Sequence, residues 1–578
     1  MASTAAPPRR KRAAAQGPGL LERFASLRRL PPEQLSSRVF YLLKQPVFLL
    51  PPYCSSLTGS NAAAPNTTPP DPWPGQAGQG SAIAGGCFAL RGQTLMNPAP
   101  IWNPAEAESE WLQELHSFSW LRDLRAAGGD TARRTARELV GSWLDSHERL
   151  SFPAWDPIGR AGRLPHWLGQ WEFYAASADV LFRRRVIDSA CRQACHLNRV
   201  LPAGLSGSDL ICALKGLTIA GACLPGGERW LARGLDRLMR ELPKQILVDG
   251  GHVERSPARQ LAVLRDLIDL RATLHAAEVE VPTDLSTAID AMAPTLRLFQ
   301  HGDGGLALFN GSSEEEDLRI DMVLQRADGR GRPRMSAPQS GFQRMQAGRA
   351  LVIVDSGAPP PPGYDRRAHA GTLSFEMSVG RERFIVNCGA EAHHPRINQL
   401  LRGTAAHSTL TASDTNSSGI APGGGLLSRP ETVRCRREEG EGNTWLDLSH
   451  DGYRPNYGLL YHRRLFLAAN GEDLRGEERL DVFAESGTRP DGGFVLRFHL
   501  HPLVQANLLQ DGSAALLRLP KGGGWRLKVK GAEIDLEDSL YLGSAGEQRR
   551  SQQVVLRGSY EAGETLVKWA LQKEGPLR

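Results

Sequence analysis

Cysteine is scarce: eight residues in 578, too few for a disulfide scaffold. Only Cys191 and Cys195 sit close together, four apart in a helix-patterned stretch, where buried thiols are expected rather than zinc ligands. Long apolar runs are missing as well. The nearest to one, Val39 to Leu50, is interrupted by Lys44 and Pro46 and falls short of the roughly 18–20 residues that cross a bilayer. Behind the basic start stands Ala-Ala-Ala-Gln-Gly-Pro-Gly at 13–19, not an apolar signal core, so export is not expected from this sequence. Charge of one sign is lacking too. The net charge of +6, from 69 basic and 63 acidic residues, gives no reason to expect a nucleic-acid partner.

What is present describes a folded chain. Hydrophobic residues make up 41% and charged residues 23%, which is ordinary for a globular protein, and the length suits two to four domains of roughly 100–200 residues. Arg9, Arg10, Lys11, Arg12, Arg23, Arg28 and Arg29 crowd the start, as a solvated tail or as an anchor for an anionic surface. Residues 51–110 are rich in Pro, Gly, Asn and Ser and are expected to be extended and loop-like.

From Glu106 the apolar spacing turns helical. Trp111, Leu112, Leu115, Phe118 and Leu121 open the series, and further segments follow at about 165–182, 209–224, 227–242, 256–277 and 284–300. Successive helices of similar length with short connections predict antiparallel hairpins stacked in a ring. Most of Trp111, Trp120, Trp143, Trp167 and Trp171 belong in its core, with one or two free to stack on a sugar in a cleft. Near residue 303 the period changes to two. Runs such as Arg349–Asp355, Leu460–Leu467, Phe494–His501 and Trp525–Lys530 predict a many-stranded antiparallel β-sandwich. The fold class is thus multidomain α+β: a basic, Pro/Gly-rich segment (1–100), an (α/α) toroid (101–302) and an antiparallel β-sandwich (303–578).

Four motifs then stand in order on these elements: Asp249-Gly-Gly-His-Val-Glu-Arg-Ser-Pro257, Ala368-His-Ala-Gly-Thr-Leu-Ser-Phe-Glu376, Phe384-Ile-Val-Asn-Cys-Gly389 and Arg402-Gly-Thr-Ala-Ala-His-Ser-Thr-Leu410. With the helical ring and sandwich they resemble the heparinase II/III-like family of polysaccharide lyases over about residues 100–578. The resemblance implies β-elimination on a uronate-containing glycan, heparin/heparan-like (a glycosaminoglycan) or alginate-like. That chemistry needs a group to neutralise the carboxylate, a base and an acid, commonly an Asn, a Tyr and a His in the family. Here the tyrosine position is Arg259 and the next histidine position Gln260. The Asn-His pair corresponds to Ser208 and Asp209, and the histidine two before His369 is Arg367.

A guanidinium stays protonated and is no base, but it pairs bidentately with a carboxylate. Arg259 and Arg367 are therefore the substrate-binding candidates. The catalytic candidates are His252 and Glu254 at the start of a helix, and His450 with Tyr453 on a turn expected to project over the cleft. The resemblance also implies a structural zinc in some members. His369 and His407 match its two histidines, while Asn387 stands in the aspartate position and makes a weak or vacant site. His499 and His501 are expected at exposed strand positions, and His393-His394 in a loop.

The resulting expectation is a polysaccharide lyase with an anionic glycan as partner. The alternative is a non-catalytic glycan-binding protein on the same scaffold, serving envelope polysaccharide metabolism. A third reading is a hydrolase with paired carboxylates drawn from Glu254, Asp249 and Glu376. By resemblance the protein works in the cell envelope or periplasm; the unreadable signal peptide points instead to the cytoplasm.

Overall fold

The computed structural model describes residues 30–575 apart from 148–149, 316, 330, 392–394, 484–491, 510–511, 545–546 and 561–563. His393-His394 and the seven basic residues before position 30 lie outside the described residues. Helices dominate up to Arg326 and antiparallel strands from Ser336 onward.

The helix Gly207–Cys223 is apolar around its whole circumference and almost entirely buried, as a central helix must be. It packs against Pro157–Gly169, Val180–Val200, Glu228–Gln245 and Pro257–Ala276. Gly216 and Gly221 permit close approach, because a Cβ there would lie 2.4 Å from the Ala161 carbonyl oxygen and 2.2 Å from the Leu231 nitrogen, respectively. Three segments depart from the sequence reading. The stretch 165–182 is broken after Tyr174, and the 21-residue helix Val180–Val200 begins only at the cap Asp179, whose carboxylate accepts from Leu181 N–H and Phe182 N–H. Residues 51–110, expected as loop, contain the helix Ala77–Ala84 and a hairpin of Cys87–Leu90 with Gln93–Met96. Beyond 303, the helix Asp317–Arg326 still packs into the helical core through Ile320, Val323 and Leu324.

The sandwich has two antiparallel sheets. One runs, in spatial order, Gln505–Leu508, Ala514–Arg518, Gly524–Lys530, Glu564–Lys573, Asp473–Val482, Leu459–Leu467, Asn443–His450 and Val433–Gly440. The other runs Glu533–Tyr541, Arg549–Ser559, Gly493–Leu500, Glu382–Val386, Phe375–Val379, Ala350–Asp355, Phe342–Ala347 and Ser336–Ala337. Ala350–Asp355 explains how the layers join. All six residues are buried because alternate side chains serve two cores: Leu351 and Ile353 enter the helical core, while Val352 and Val354 fill the space between the sheets.

The junction is also polar. Arg255 has φ +53°, a left-handed conformation costing a non-glycine residue about 1–2 kcal/mol. From it the guanidinium donates to the carbonyls of Ser340 (2.6 Å), Ala358 (2.7 Å) and Gly341 (2.9 Å) and to Asp355 Oδ1 (2.5 Å). Beside it Asp249 accepts from Ser340 N–H at 2.7 Å and from Gly251 N–H at 3.0 Å. The Asp-Gly-Gly segment is thereby a seam between helices and sandwich.

Candidate functional site

The site is built on the seam. Glu254 Oε1 accepts from Ser208 N–H at 2.6 Å, which joins the turn before Pro257–Ala276 to the start of the central helix. Gly207 makes this possible: its φ is +57°, and a Cβ would sit 2.2 Å from that oxygen. The sandwich contributes Arg367, whose guanidinium lies 3.7 Å from Asp209 Oδ1 and 3.7 Å from Glu254 Oε2. Arg259 stands beside them. Burial and then Arg367 lower its pKa, while Glu254 and Asp209 act in the opposite sense. Glu254, Arg259, Arg367 and Asp209 thus form one cluster.

Arg265, which was not among the sequence candidates, stands further along the same helix Pro257–Ala276 as Arg259 and acts electrostatically on Glu114. Its side chain is exposed, yet burial heads the influences on it, ahead of Asp266 and Asp269, whose charges raise its pKa. Asp209, Glu254 and Arg259 come from the helical layer and Arg367 from the sandwich, so the cluster lines the concave angle where the two layers meet. Arg91 and Glu114 pair nearby at 2.7 Å, within electrostatic reach of Arg259 and Arg265. Among the described residues no carboxylate oxygen comes within 4.0 Å of an Arg259 or Arg265 nitrogen, whereas Arg91 and Arg367 have acidic neighbours. Nothing in the spacing of residues 257–276 singles out Arg265 from a solvated arginine, which is why sequence alone passes over it.

The other candidates lie elsewhere. His450 and Tyr453 do not project over a cleft: both are buried, Tyr453 in the apolar core between the sheets. The Tyr453 hydroxyl donates to the Leu410 carbonyl at 2.6 Å, and burial raises its pKa. His450 Nδ1 accepts from Gly452 N–H at 3.0 Å, with its pKa lowered by burial to about 3. Neither reaches a ligand in the concavity. His252 is also enclosed. Its Nε2–H donates to Gln245 Oε1 at 3.2 Å, its Nδ1 accepts from Glu254 N–H at 3.3 Å, and burial lowers its pKa. Gln260, in a family histidine position, braces the same turn by donating to the Gly250 and Met292 carbonyls. All five tryptophans considered as sugar platforms are buried, which leaves none of them for stacking. The paired-carboxylate reading fails on geometry, because Asp249 is committed to Ser340 and Gly251, and Glu376 is buried against His301, Leu308 N–H and Asn387 N–H.

His369 and His407 do meet, with ring centroids 5.2 Å apart. His407 Nδ1–H donates to the Gly403 carbonyl at 2.7 Å, which leaves its Nε2 to accept from His369 Nδ1–H at 3.1 Å. Asn387 is occupied too: its side-chain carbonyl accepts from Ser408 N–H at 2.9 Å. Among the described residues no group of three His, Cys, Asp or Glu side chains is placed to hold a metal. Two mutually bonded imidazoles and a carboxamide do not fit the closed four-ligand set of a structural zinc. His499 is a further correction. It is buried rather than exposed, because the turn Thr404–Ala406 covers that sheet face; its Nε2–H donates to the Ala405 carbonyl at 2.9 Å.

These buried imidazoles carry a pH prediction. Burial holds His116, His450 and His499 at about 3 and His407 at about 4. The unfolded chain therefore binds protons that the folded chain refuses, from about pH 6.5 down to about pH 4 for His407 and about pH 3 for the other three. Their contribution is complete above that window and is lost as the pH falls through it, by up to about 1.4 kcal/mol per histidine per pH unit. Thermal unfolding followed by circular dichroism is expected to show a midpoint dropping steeply below about pH 6, with a shallower drop in His499→Gln.

A ring of helices seated on a two-sheet sandwich, with Asp-Gly-Gly at the seam, defines a protein built like the heparinase-type lyases. The chain belongs to the heparinase II/III-like family: residues 100–326 match the family model "Heparinase II/III N-terminus" and 329–570 match "Heparinase II/III-like, C-terminal". It is 32% identical over 538 residues to FtsZ-localized protein C of Caulobacter vibrioides, covering 87% of this chain and 89% of that protein. To the heparin-sulfate lyase of Bacteroides thetaiotaomicron it is 20% identical over 233 residues, 36% of this chain and 33% of the lyase. Among solved structures it is similar to heparinase III, with a TM-score of 0.67, 15% identity and coverage of 82% of this chain and 79% of that one. The heparan sulfate lyase HepC of Pedobacter heparinus gives 0.59 and 15%, with 87% and 83% covered.

Proposed function

We propose that this protein binds an anionic, uronate-containing glycan in the concavity and does not cleave it by β-elimination. The observation that carries the reading is Arg259: a guanidinium with no carboxylate oxygen within 4.0 Å among the described residues stands where the family's phenol is expected. Arg265 beside the cluster and Arg367 opposite supply further positive charge, and charge-assisted bonds from guanidinium groups suit sugar carboxylates and sulfates. The family positions of the acid and base hold Arg259, Gln260, Ser208, Asp209 and Arg367, none of them a phenol or an imidazole.

One observation favours the lyase reading instead. Glu254 Oε2 and Arg367 lie 3.7 Å apart, a carboxylate base next to a group able to neutralise a uronate. Incubation with heparan sulfate, heparin and alginate decides between them. The expected result is retention of the protein on immobilised glycan with no growth of the ultraviolet absorbance of an unsaturated uronate product; growth of that band, lost in Glu254→Gln, would establish elimination.

The likeness to an FtsZ-localized protein, over 87% of this chain and 89% of that one, supports placing this protein with FtsZ. A fluorescent fusion that stays diffuse while FtsZ forms its ring would count against that placement. A reporter active on only one side of the membrane separates the envelope compartment from the cytoplasm.

A further inference from the structure

The sheet that contains Asn443–His450, Leu459–Leu467, Asp473–Val482, Glu564–Lys573 and Gly524–Lys530 has one face in the core and the other in solvent. Leu446, Leu465, Leu474, Leu571 and Leu527 fill the space between the sheets, so the alternate positions point outward. The register lays these in rows across five strands. One row is Trp445, Phe466, Arg475, Ala570 and Lys528; the next is Asp447, Arg464, Glu477, Lys568 and Lys530. The rings of Trp445 and Phe466 lie side by side with centroids 5.1 Å apart, and the Arg475 guanidinium stands 5.8 Å from the Phe466 ring. At Ala570 the row sinks, because a methyl group stands between two long side chains. The depression has a volume of about 530 Å³ and reaches from Phe466 to Lys528. Arg464 pairs with Asp447 at 2.5 Å, Arg475 with Asp473 at 2.6 Å and Lys568 with Glu477 at 2.9 Å. Lys528 and Lys530 are exposed and, among the described residues, have no carboxylate oxygen within 4.0 Å.

We propose that this outer face is a second, weaker binding surface for an anionic glycan, a step that rests on the reading of the ligand as a uronate-containing chain. It is separate from the concavity: the helices pack on the opposite sheet through Leu351 and Ile353, and the thickness of the sandwich, with sheets about 10 Å apart, lies between. A pyranose ring presents C–H groups on its faces, and that apolar surface stacks on aromatic rings such as Trp445 and Phe466. Further along the same row Arg475 and Lys528 supply cations for a uronate carboxylate. Four strand spacings of about 4.8 Å make the row about 19 Å long, room for a short run of sugars. Charge decides against a nucleic acid. Asp447, Asp473 and Glu477 stand among the cations and oppose a backbone with a phosphate at every nucleotide. A uronate chain is less densely charged, and its hydroxyl groups donate to such carboxylates. With one surface on each side of the sandwich, the protein can hold two chains, or two stretches of one, at once.

Isothermal titration calorimetry of the full chain with heparan sulfate and alginate hexasaccharides tests this. Wild type is expected to bind more than one equivalent. In the Arg259→Ala/Arg265→Ala background the weaker site is expected to remain and to weaken as salt is raised. Adding Lys528→Glu/Lys530→Glu should weaken it by at least about tenfold, and adding Trp445→Ala by about two- to tenfold with the charges intact. The circular dichroism spectrum should not change in the lysine variant, because both side chains are exposed. If the lysine variant binds with the affinity and stoichiometry of its parent, the outer face falls and the concavity stands. If it loses binding while Arg259→Ala/Arg265→Ala does not, the outer face stands and the concavity falls. Three further results would overturn the proposal: no residual site in the arginine variant, an undiminished site in Trp445→Ala, or tighter binding of oligothymidylate than of either hexasaccharide. A wild type that binds neither sugar would remove both surfaces.

Discussion

Arg255→Ala is expected to produce the largest loss of stability of any single substitution at the seam. The guanidinium satisfies three carbonyls and Asp355, and both charged partners are buried. Truncation strands the Asp355 carboxylate, whose pKa burial already raises against the opposing pull of Arg255. Removing one partner of a buried pair costs about 3–5 kcal/mol, far above the strain relieved at φ +53°. Arg255→Gly separates the two effects: it loses the same contacts but frees the backbone, so it should unfold at a higher temperature than the alanine variant. Differential scanning calorimetry of wild type and both variants measures the order. An alanine variant as stable as wild type would mean that the apolar contacts of Leu351 and Ile353 alone hold the layers together.

The second large effect concerns the concavity. Arg259→Ala together with Arg265→Ala is expected to weaken binding of a heparan- or alginate-type glycan by about 10²-fold or more, taking each charge-assisted bond at about 1.5–3 kcal/mol. Because neither side chain has a carboxylate within ion-pair distance among the described residues, their removal strands no paired charge there, and the melting temperature should stay close to that of wild type. Isothermal titration calorimetry at two salt concentrations checks both the loss and its electrostatic origin. Unchanged affinity would move the glycan away from this surface.

Much of the architecture was legible because the period of the apolar residues changes from helical spacing to alternation, and because the four motifs come in order. The misplaced site residues fail for a reason that alternation itself contains. In Asn443–His450 the buried positions are Thr444, Leu446, Leu448 and His450, so His450 shares its parity with core leucines and points between the sheets. Tyr461 and Arg463 likewise share parity with Leu459 and Leu465. There Arg463 is matched by Glu478 at 3.0 Å, which also accepts from Tyr461 and Trp569. Polar residues on the inward parity of a strand are built into the core, and only the tertiary partner, here Glu478, reveals it. Arg265 poses the opposite difficulty: a concave surface is assembled from distant segments, and no local pattern marks a charged residue as facing inward.

The strand Ala350–Asp355 has a consequence for how the protein is made. A ribosome delivers the helices first, but their core stays open until Phe342, Leu351 and Ile353 have emerged, and Arg255 and Asp249 lack their partners across the seam until Ser340 and Asp355 arrive. The nascent helical layer must therefore wait, incomplete, from the end of its last helix at Arg326 until the strand Ala350–Asp355 has been made. A chain stopped between the two family matches, near residue 328, would never be closed. Fragments cut there are halves of one body rather than separable modules.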